Sequence, residues 1–342
     1  MKKTIFVFLT ICIVAACVLA AMEAAFRMTG AFMPSAYRRS KIPDMNFEMK
    51  PGIRYRVGGS EVSINGEGYR DIEWNAKKPA GTIRVACIGD SMTMAVELKP
   101  EETYMKVLEN KLNDNGMKTE FMNFGVGGYN TAQELLVYKH SAAKYRPDLV
   151  IVQYTLNDLT EIYPVYVGDS SVGKLKVFLG DHLRVYRFLS YLRGMIKDRT
   201  NAYNVKESGE SGIEAPVSVE FMRSVYSPEG KFFRDWKSAA AGFGKLSKEG
   251  PPVIFVIFPW AIHKGMEQGT PYPYYMFHRQ VEAELEREGI PYVDVTPELA
   301  KRGNLMQFWA APGDFHLNAA AHRIIAEQIE PGVLKALNSK KR

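Results

Sequence analysis

The chain has 342 residues, of which 46% are hydrophobic, and a formal net charge of +6. This length and composition suffice for one large domain or two small ones with an ample core. The basic residues are scattered among acidic ones, which argues against the basic stripe of a nucleic-acid-binding protein, although a mildly basic surface still favours an anionic polymer or a lipid headgroup. Three cysteines without a Cys/His cluster predict neither a disulfide framework nor a metal site.

The N-terminal segment is apolar and uncharged. Two lysines precede the run from Thr4 to Met22, and about nineteen helical residues span roughly 28 Å, close to the thickness of a bilayer core. This pattern predicts a single-pass anchor in the inner membrane, with the remaining chain in the periplasm or outside the cell. Two alternatives stay open: a lipoprotein cleavage box that ends at Cys17, and signal-peptidase cleavage near Ala20 that gives a secreted protein.

The rest of the chain divides into a lead-in and a larger domain. We predict the anchor or signal segment at 1–22, a lead-in with short strands at 23–80, and the domain at 81–338 with an insertion around 160–250. Within the domain, helical segments separate five apolar runs: TIRVACI, EFMNFGV, DLVIVQYT, PPVIFVIF and PYVDV. Apolar strands separated by helices indicate a parallel sheet covered on both faces. The prediction is an α/β fold in three layers, α/β/α, with a flavodoxin-like doubly wound sheet in the order 2-1-3-4-5 after the N-terminal transmembrane helix.

Helix signals lie between these strands. The segment EETYMKVLENKLNDNG has apolar residues at helical spacing, and the capping-box spacing of Thr131 and Glu134 predicts the start of the next helix. LNAAAHRIIAEQI is a closing amphipathic helix. In the insertion, KLKVFLGDHLRVYRFLSYLRGMIK predicts one basic amphipathic helix, which is either an ordinary packed element or one that forms a lid or lies on a membrane. The aromatic stretch Tyr272–Phe277 either packs within a loop or stacks against sugars.

Glycines and polar residues follow three of the predicted strands. GDS at 89–91 follows the first strand, NFGVGGYNT at 123–131 spans the end of the second, and LND at 156–158 follows the third. In a doubly wound sheet, ligands bind beyond the carboxyl ends of the strands, and neighbouring strands lie roughly 4.8 Å apart. Ser91, the glycines and Asn157 are therefore expected to converge on one ligand.

A serine at this edge needs a base. His316 lies in PGDFHLN, before the last helix, with Asp314 two residues upstream. Residues two apart in an extended segment face the same side, and a carboxylate there can hold an imidazole in the tautomer that a serine-hydrolase triad requires. His263, after the fourth strand, is the spare candidate for the base or for a substrate contact.

The four segments GDSMT, NFGVGGYNT, LND and GDFHLN, in this order, resemble the sequence blocks of the SGNH, or GDSL, hydrolases over roughly residues 82–335. The lead-in INGEGYRDIE is also similar to that of membrane-anchored bacterial members. The resemblance implies that Ser91 is the nucleophile and that Asp314 and His316 are the acid and base. It further implies that the oxyanion is held by the backbone N–H groups of Ser91 and Gly128 and by the side-chain amide of Asn157, and that the reaction uses no cofactor and no metal.

Two positions depart from the family pattern. Leu156 stands where glycine usually precedes Asn-Asp, and Asp314 lies two residues before His316 where the family often has three. Each block also has a simpler interpretation: Ser91 as a helix cap, the glycines as turn residues, the third block as a turn pair, and the last block as a helix cap or metal ligand. Four blocks in order at four predicted loops favour a serine-hydrolase site.

The predicted function is a serine esterase that removes acetyl groups from an envelope or extracellular polysaccharide. Its expected partners are an acylated glycan or small ester and, through the N-terminal helix, a membrane, but no nucleic acid. Two alternatives stay open: an O-acetyltransferase that passes the acyl group to a polysaccharide hydroxyl, and a non-catalytic glycan-binding protein on the same fold. The motifs do not encode the acceptor, which is what separates the esterase from the transferase.

Overall fold

The computed structural model describes residues 2–57, 60–159, 170–193, 219–260 and 272–339. Within these ranges the chain forms two compact units. One unit takes in the described parts of Met1–Arg39 and Tyr166–Ala215, and the other takes in those of Ser40–Val165 and Pro216–Arg342. The domain boundaries inferred from the sequence stay a prediction.

The strands in chain order are β1 (Tyr37–Arg39), β2 (Phe47–Met49), β3 (Arg54–Val57), β4 (Ser60–Ser63), β5 (Ile83–Gly89), β6 (Thr119–Gly125), β7 (Leu149–Tyr154), β8 (Val253–Ile257), β9 (Tyr292–Asp294), β10 (Trp309–Ala311) and β11 (Asp314–Leu317). The helices are α1 (Lys2–Thr29), α2 (Ser91–Met94), α3 (Tyr104–Asp114), α4 (Thr131–Val137), α5 (Ser171–His182), α6 (184–193, as far as it is described), α7 (Val219–Val225), α8 (Lys231–Glu249), α9 (Tyr275–Glu288), α10 (Thr296–Lys301) and α11 (Ala319–Ser339).

Five strands form the central parallel sheet. Their order is β6-β5-β7-β8-β9, which confirms the predicted order 2-1-3-4-5. Every residue of β7 and β8 is buried, as expected for parallel strands that are covered on both faces. Gly89 pairs with Gly125 at the ends of β5 and β6, so the two loops that follow begin at the same level of the sheet.

Amphipathic helices flank this sheet and confirm the α/β fold. On α3 the buried side chains are Tyr104, Met105, Leu108 and Leu112, whose helical spacing places them on one face, and this helix packs against α11. The longer helix α8 packs against α4 and α9, and its buried Phe243 packs against Phe255 of β8 with ring centroids 5.5 Å apart. Each fully buried side chain of this size contributes about 1.5–3 kcal/mol to the free energy of folding.

Three local predictions are wrong. The capping box of α4 uses Asn130 and Gln133, one residue earlier than predicted, because the Asn130 side chain accepts the Gln133 N–H at 3.0 Å and the Gln133 side chain accepts the Asn130 N–H. The segment with Asp314 and His316 is strand β11, which forms an antiparallel hairpin with β10, where a loop was expected. One continuous amphipathic helix was expected in the insertion, but the helix breaks at the extended residue Leu183. Arg27 of α1 donates a hydrogen bond of 2.7 Å to the His182 carbonyl at this break.

The N-terminal helix α1 continues seven residues beyond the end of the predicted apolar run, to Thr29. It is long and apolar enough to cross a membrane, with a mean hydropathy of 2.9 in its most apolar window. A signal sequence has the same position and composition, so membrane-anchored and secreted forms both agree with this helix.

Candidate active site

The sharp turn between β5 and α2 places Ser91 at the edge of the sheet. Asp90 is the N-cap of α2, and its carboxylate accepts the Met92 N–H at 2.8 Å. A Cβ atom on Gly89 would overlap the Thr93 hydroxyl, and one on Gly125 would overlap the backbone at Met94. Glycine is therefore required at both positions for α2 to lie directly on the ends of β5 and β6. The turn ends at Ala95, whose left-handed φ of 47° is unusual for a residue other than glycine.

Ser91, His316 and Asp314 form a hydrogen-bonded chain. The Nε2 atom of His316 lies 3.0 Å from Ser91 Oγ, and its Nδ1 atom lies 2.6 Å from Asp314 Oδ1. The expectation that Asp314 and His316 face the same side is confirmed, because both lie on strand β11. Gly313, with a φ of 85°, makes the tight turn from β10 into β11. The side chains of His316 and Asp314 are 21% and 36% exposed, so a ligand in solution can reach these two residues.

The structure adds Glu97 to this group, a residue that the sequence analysis missed. Its Oε1 atom lies 3.4 Å from His316 Nδ1, and its side chain is only 11% exposed. Burial raises the pKa of Glu97 above its usual value, while the neighbouring imidazole acts in the opposite direction. The available signal was one acidic residue within the apolar segment that follows Ser91.

The lead-in holds the loop that carries Glu97. Arg70, within the lead-in motif, is buried and donates hydrogen bonds to the carbonyls of Met94 at 3.0 Å and Ala95 at 2.6 Å, and also to that of Leu98. A buried guanidinium has five N–H donors to satisfy, and these carbonyls supply the acceptors. Arg70 therefore fixes the backbone on both sides of Glu97.

Glu97, Asp314 and His316 also have the spacing of a metal site. One candidate ligand atom from each lies within 4.8 Å of the others. Glu97, which is distant from the last block in sequence, supplies the third ligand atom in space. One imidazole and two carboxylates can bind a divalent ion such as Zn²⁺, whereas the contact between His316 Nε2 and Ser91 is that of a base and nucleophile.

The predicted oxyanion residues lie in the loops after β6 and β7. The side-chain amide of Asn157 donates to Asp90 Oδ2 at 2.9 Å, which joins it to the residue before Ser91. Gly128 lies in a turn closed by the hydrogen bond from the Tyr129 N–H to the Val126 carbonyl, and its φ of 86° favours glycine. The same turn is tied to β5, because the Val126 N–H donates to the Gly89 carbonyl at 3.0 Å.

A cluster of buried carboxyl groups lies beneath these loops. Asp158 accepts a hydrogen bond from the Thr131 hydroxyl at 3.0 Å and so connects the second and third blocks. Glu134 is fully buried, and neither of its carboxyl oxygens has a hydrogen-bond partner within the described chain. Burial raises the pKa of Glu134 well above its usual value, and the negative charges of Asp158 and Asp90 act in the same direction.

Two other described histidines, His322 and His278, are buried among structural partners. His322 is fully buried and accepts the Tyr104 N–H at 3.0 Å, and burial lowers the pKa of His322 to about 3. His278 is buried between Asp294, at 2.9 Å, and the Tyr272 hydroxyl, at 3.3 Å. The spare candidate, His263, lies outside the described residues.

The aromatic stretch Tyr272–Phe277 is packed into the protein. Tyr272, Tyr274 and Phe277 are each at most 5% exposed. The Tyr272 hydroxyl accepts the Trp260 N–H at 2.8 Å and so connects this stretch to the end of β8. Packing is confirmed for these three rings, although Phe277 lies in the first turn of α9 where a loop was expected, and stacking of sugars on them is excluded.

A family model described as GDSL-like Lipase/Acylhydrolase matches residues 85–329. The chain belongs to this family. This GDSL hydrolase is accordingly an enzyme of the acyl-ester hydrolase type, and the sequence resemblance to the family is confirmed.

Solved structures similar to this GDSL hydrolase are distant in sequence. TesA is 19% identical, with 74% of this chain and 99% of that chain covered and a TM-score of 0.43. A catalytic mutant of Axe2, an acetylxylan esterase from Geobacillus stearothermophilus, is 14% identical, with 75% and 94% covered and a TM-score of 0.43. The acetyl xylan esterase AlAXEase is 16% identical, with 73% and 100% covered and a TM-score of 0.42. The comparison with curated proteins gave no match.

Proposed function

We propose that this GDSL hydrolase is a serine esterase in which Ser91 is the nucleophile, His316 the general base and Asp314 the residue that orients the base. The observation that carries the proposal is the continuous chain from Ser91 Oγ to His316 Nε2, at 3.0 Å, and from His316 Nδ1 to Asp314 Oδ1, at 2.6 Å. A serine is a weak nucleophile unless an adjacent base accepts its proton, and this chain supplies that base.

The first half of the reaction forms an acyl-enzyme. Ser91 Oγ attacks the ester carbonyl carbon while His316 Nε2 accepts the hydroxyl proton. The carboxylate of Asp314 accepts the Nδ1–H hydrogen bond, keeps the imidazole in the required tautomer and stabilises the positive charge that forms. The proton then passes from His316 to the leaving alcohol oxygen as the carbon–oxygen bond of the ester breaks.

The oxyanion of each tetrahedral intermediate needs fixed donors. The proposed donors are the backbone N–H groups of Ser91 and Gly128 and the side-chain amide of Asn157. One such donor contributes about 3 kcal/mol to the stabilisation of the transition state. The hydrogen bond of 2.9 Å to Asp90 orients the Asn157 amide, because a carboxylate accepts only from its nitrogen end. In the second half of the reaction, His316 accepts a proton from the water that attacks the acyl carbon. It then returns that proton to Ser91 Oγ as the bond between Oγ and the acyl carbon breaks and the acid leaves.

The proposed substrate is a short acyl ester on a glycan outside the inner membrane. The apolar helix α1 supports export or anchoring of the chain, which favours an envelope substrate over a cytoplasmic thioester. Partial exposure of His316 and Asp314 supports access by an acyl group carried on a large polymer. The buried rings of the aromatic stretch give this assignment no support.

The experiment compares p-nitrophenyl esters of two to sixteen carbons with an acetylated polysaccharide, for the full chain in detergent. The Ser91→Ala variant should lose turnover of every ester while its melting temperature stays close to that of the parent. Ser224→Ala is the matched control, since this exposed serine donates only to the Phe221 carbonyl of its own helix. A steep preference for the two-carbon ester and acetate release from the polymer support the substrate class. A preference for eight carbons or more contradicts it, and acetyl transfer to an added glycan makes the enzyme a transferase.

A further inference from the structure

The insertion carries an unusual amount of exposed apolar surface. Most of the large apolar side chains that are exposed in the described chain outside α1 lie on or between α5 and α6. Each of them is at least 43% exposed: Val172, Leu175, Phe178, Leu183, Leu189 and Tyr191. We call these six residues the apolar surface. Exposed apolar side chains in such a group mark a site of interaction with another molecule or with a membrane.

The geometry of α5 collects three of these side chains on one face. Val172, Leu175 and Phe178 recur every three residues, which places them along one side of a helix with 3.6 residues per turn. Gly173 is buried, and it lies on roughly the opposite side of α5. The apolar stripe is therefore directed away from the packed side of the helix.

Lysines border the stripe. From the helical repeat, Lys174 lies beside one edge of the stripe and Lys176 beside the other, and both are exposed. A helix that lies in a membrane interface has this arrangement, with an apolar face in the acyl region and lysines that reach the headgroups on either side. A protein-binding groove would not require a cation on both edges.

The apolar surface is fixed to the C-terminal end of α1. Arg184 donates to the carbonyls of Phe26 at 2.6 Å and Ala31 at 3.2 Å, and Arg187 donates to that of Met33 at 2.8 Å. The Val185 N–H donates to Glu23 Oε2 at 2.9 Å.

Aromatic rings complete this junction. Phe188 of α6 packs against Phe26 and Phe32, with ring centroids 5.4 and 5.2 Å apart, and Tyr191 lies 6.0 Å from Phe32. The end of the apolar helix and the apolar surface thus belong to one packed unit. An α1 that spans a bilayer would therefore bring α5 and α6 to the membrane interface at its C-terminal end.

We propose that the apolar surface, with Lys174 and Lys176, is a docking site for the surface of an anionic phospholipid bilayer. Three observations carry the proposal: the one-sided stripe on α5, the lysines on both of its edges, and its continuity with a helix that has no buried residue and is long and apolar enough to cross a membrane. The proposal concerns membrane contact by the insertion and is independent of the assignment of the catalytic residues.

The test attaches an environment-sensitive NBD fluorophore to the full chain in lipid nanodiscs. Cys12→Ala and Cys17→Ala remove the two exposed cysteines, and Cys87 is retained because it is buried. The fluorophore is then attached at Leu175→Cys or at Phe178→Cys. Lys245→Cys is the control, because this side chain is 73% exposed on α8 of the other unit. Nanodiscs contain phosphatidylcholine alone or with phosphatidylglycerol, and each is prepared with and without a nitroxide-labelled lipid.

Labels at 175 and 178 should emit at shorter wavelength than the control and be quenched by the nitroxide lipid at least about twofold more. Lys174→Gln combined with Lys176→Gln should reduce the quenching in phosphatidylglycerol nanodiscs to the level in phosphatidylcholine alone. Quenching equal to that of the control overturns the proposal. The proposal is also overturned if the labels emit at shorter wavelength than the control but the nitroxide lipid does not quench them. The surface then contacts protein, such as a second copy of the chain, and not lipid. A Val172→Cys label, with ester turnover as the check on folding, repeats the test if either variant misfolds.

Discussion

The Nε2 atom of His316 lies 3.0 Å from the Oγ atom of Ser91, although 225 residues separate them in the chain. Ser91 is held by a turn in which only glycine fits at positions 89 and 125, and His316 is held by a hairpin that turns at Gly313. Two separate backbone constraints therefore set this one contact, and the predictions below test what it does.

Glu97→Gln should lower the kcat of the esterase. His316 faces three carboxyl groups, Asp314, Glu97 and, at longer range, Asp90, while Arg70 acts on Glu97. A carboxylate beside Nδ1 stabilises the imidazolium that forms when His316 accepts the Ser91 proton, and Glu97→Gln removes that carboxylate. The plateau of kcat should fall on the order of tenfold, since the transition state contains the same cation.

The control for this prediction is Glu249→Gln, because Glu249 is an exposed residue at the end of α8. A role of Glu97 in folding alone would lower the melting temperature of the variant and leave the kcat of the folded enzyme unchanged. A kcat equal to that of the parent in a stable Glu97→Gln variant would therefore mean that Glu97 does not assist His316.

Glu134→Gln should make the protein less sensitive to high pH. The pKa of Glu134 is raised by burial, so the folded state keeps a proton that the unfolded state releases above the ordinary value of 4.5. The stability linked to this proton is fully present below pH 4.5 and is lost as the pH rises toward the folded pKa. The variant should match the parent at pH 5 and melt a few degrees higher at pH 8.

Scanning calorimetry or denaturant titration at both pH values checks this prediction. Glutamine is nearly isosteric with the protonated acid, so the comparison isolates the charge. A loss of stability that is equal at pH 5 and pH 8 would mean that the two buried oxygens have partners that glutamine cannot replace.

Asn157→Ala should lower kcat by about 10²–10³ with little change in KM, because an oxyanion donor acts mainly in the transition state. Asp90→Asn should also lower kcat, since it replaces the carboxylate that orients the Asn157 amide. In the double variant, the second substitution should lower kcat by a smaller factor than it does in the parent, because both substitutions act on one hydrogen bond. Additive losses in this double-mutant cycle would mean that Asp90 does not act through Asn157.

Chelation should leave turnover unchanged. Glu97, Asp314 and His316 have the spacing of a metal site, whereas the proposed reaction uses the same imidazole as a base. Dialysis against EDTA should therefore preserve kcat, and excess Zn²⁺ should inhibit if it competes for His316 Nδ1. Activity that is lost with EDTA and restored by a divalent ion would assign these three residues to metal binding.

The sequence predicted the sheet order and the position of the site because both depend on strong local patterns. Fully buried strands produce apolar runs, and their carboxyl ends show as the abrupt change to GDS, NFGVGG and LND. The pairing of Asp314 with His316 followed from the period of an extended strand, although the hairpin that forms the strand was not recognised.

Glu97 could not be found in this way. Its approach to His316 depends on the path of the backbone after α2, which Arg70 of the lead-in fixes through carbonyls more than twenty residues away. Burial of Glu134 was missed for a different reason, because capping-box spacing fits both Thr131 with Glu134 and Asn130 with Gln133. Contacts between distant segments decide the first case, and the choice between two local capping boxes decides the second.

The account depends above all on Ser91 as an activated nucleophile, and a fluorophosphonate ester tests this directly. Mass spectrometry of the labelled full chain should place the phosphonyl group on the peptide that contains Ser91. Labelling should be absent in Ser91→Ala and slowed at least about a hundredfold in His316→Ala, because the serine then lacks its base. A phosphonyl group on another residue, or equal labelling rates in the parent and His316→Ala, would contradict it.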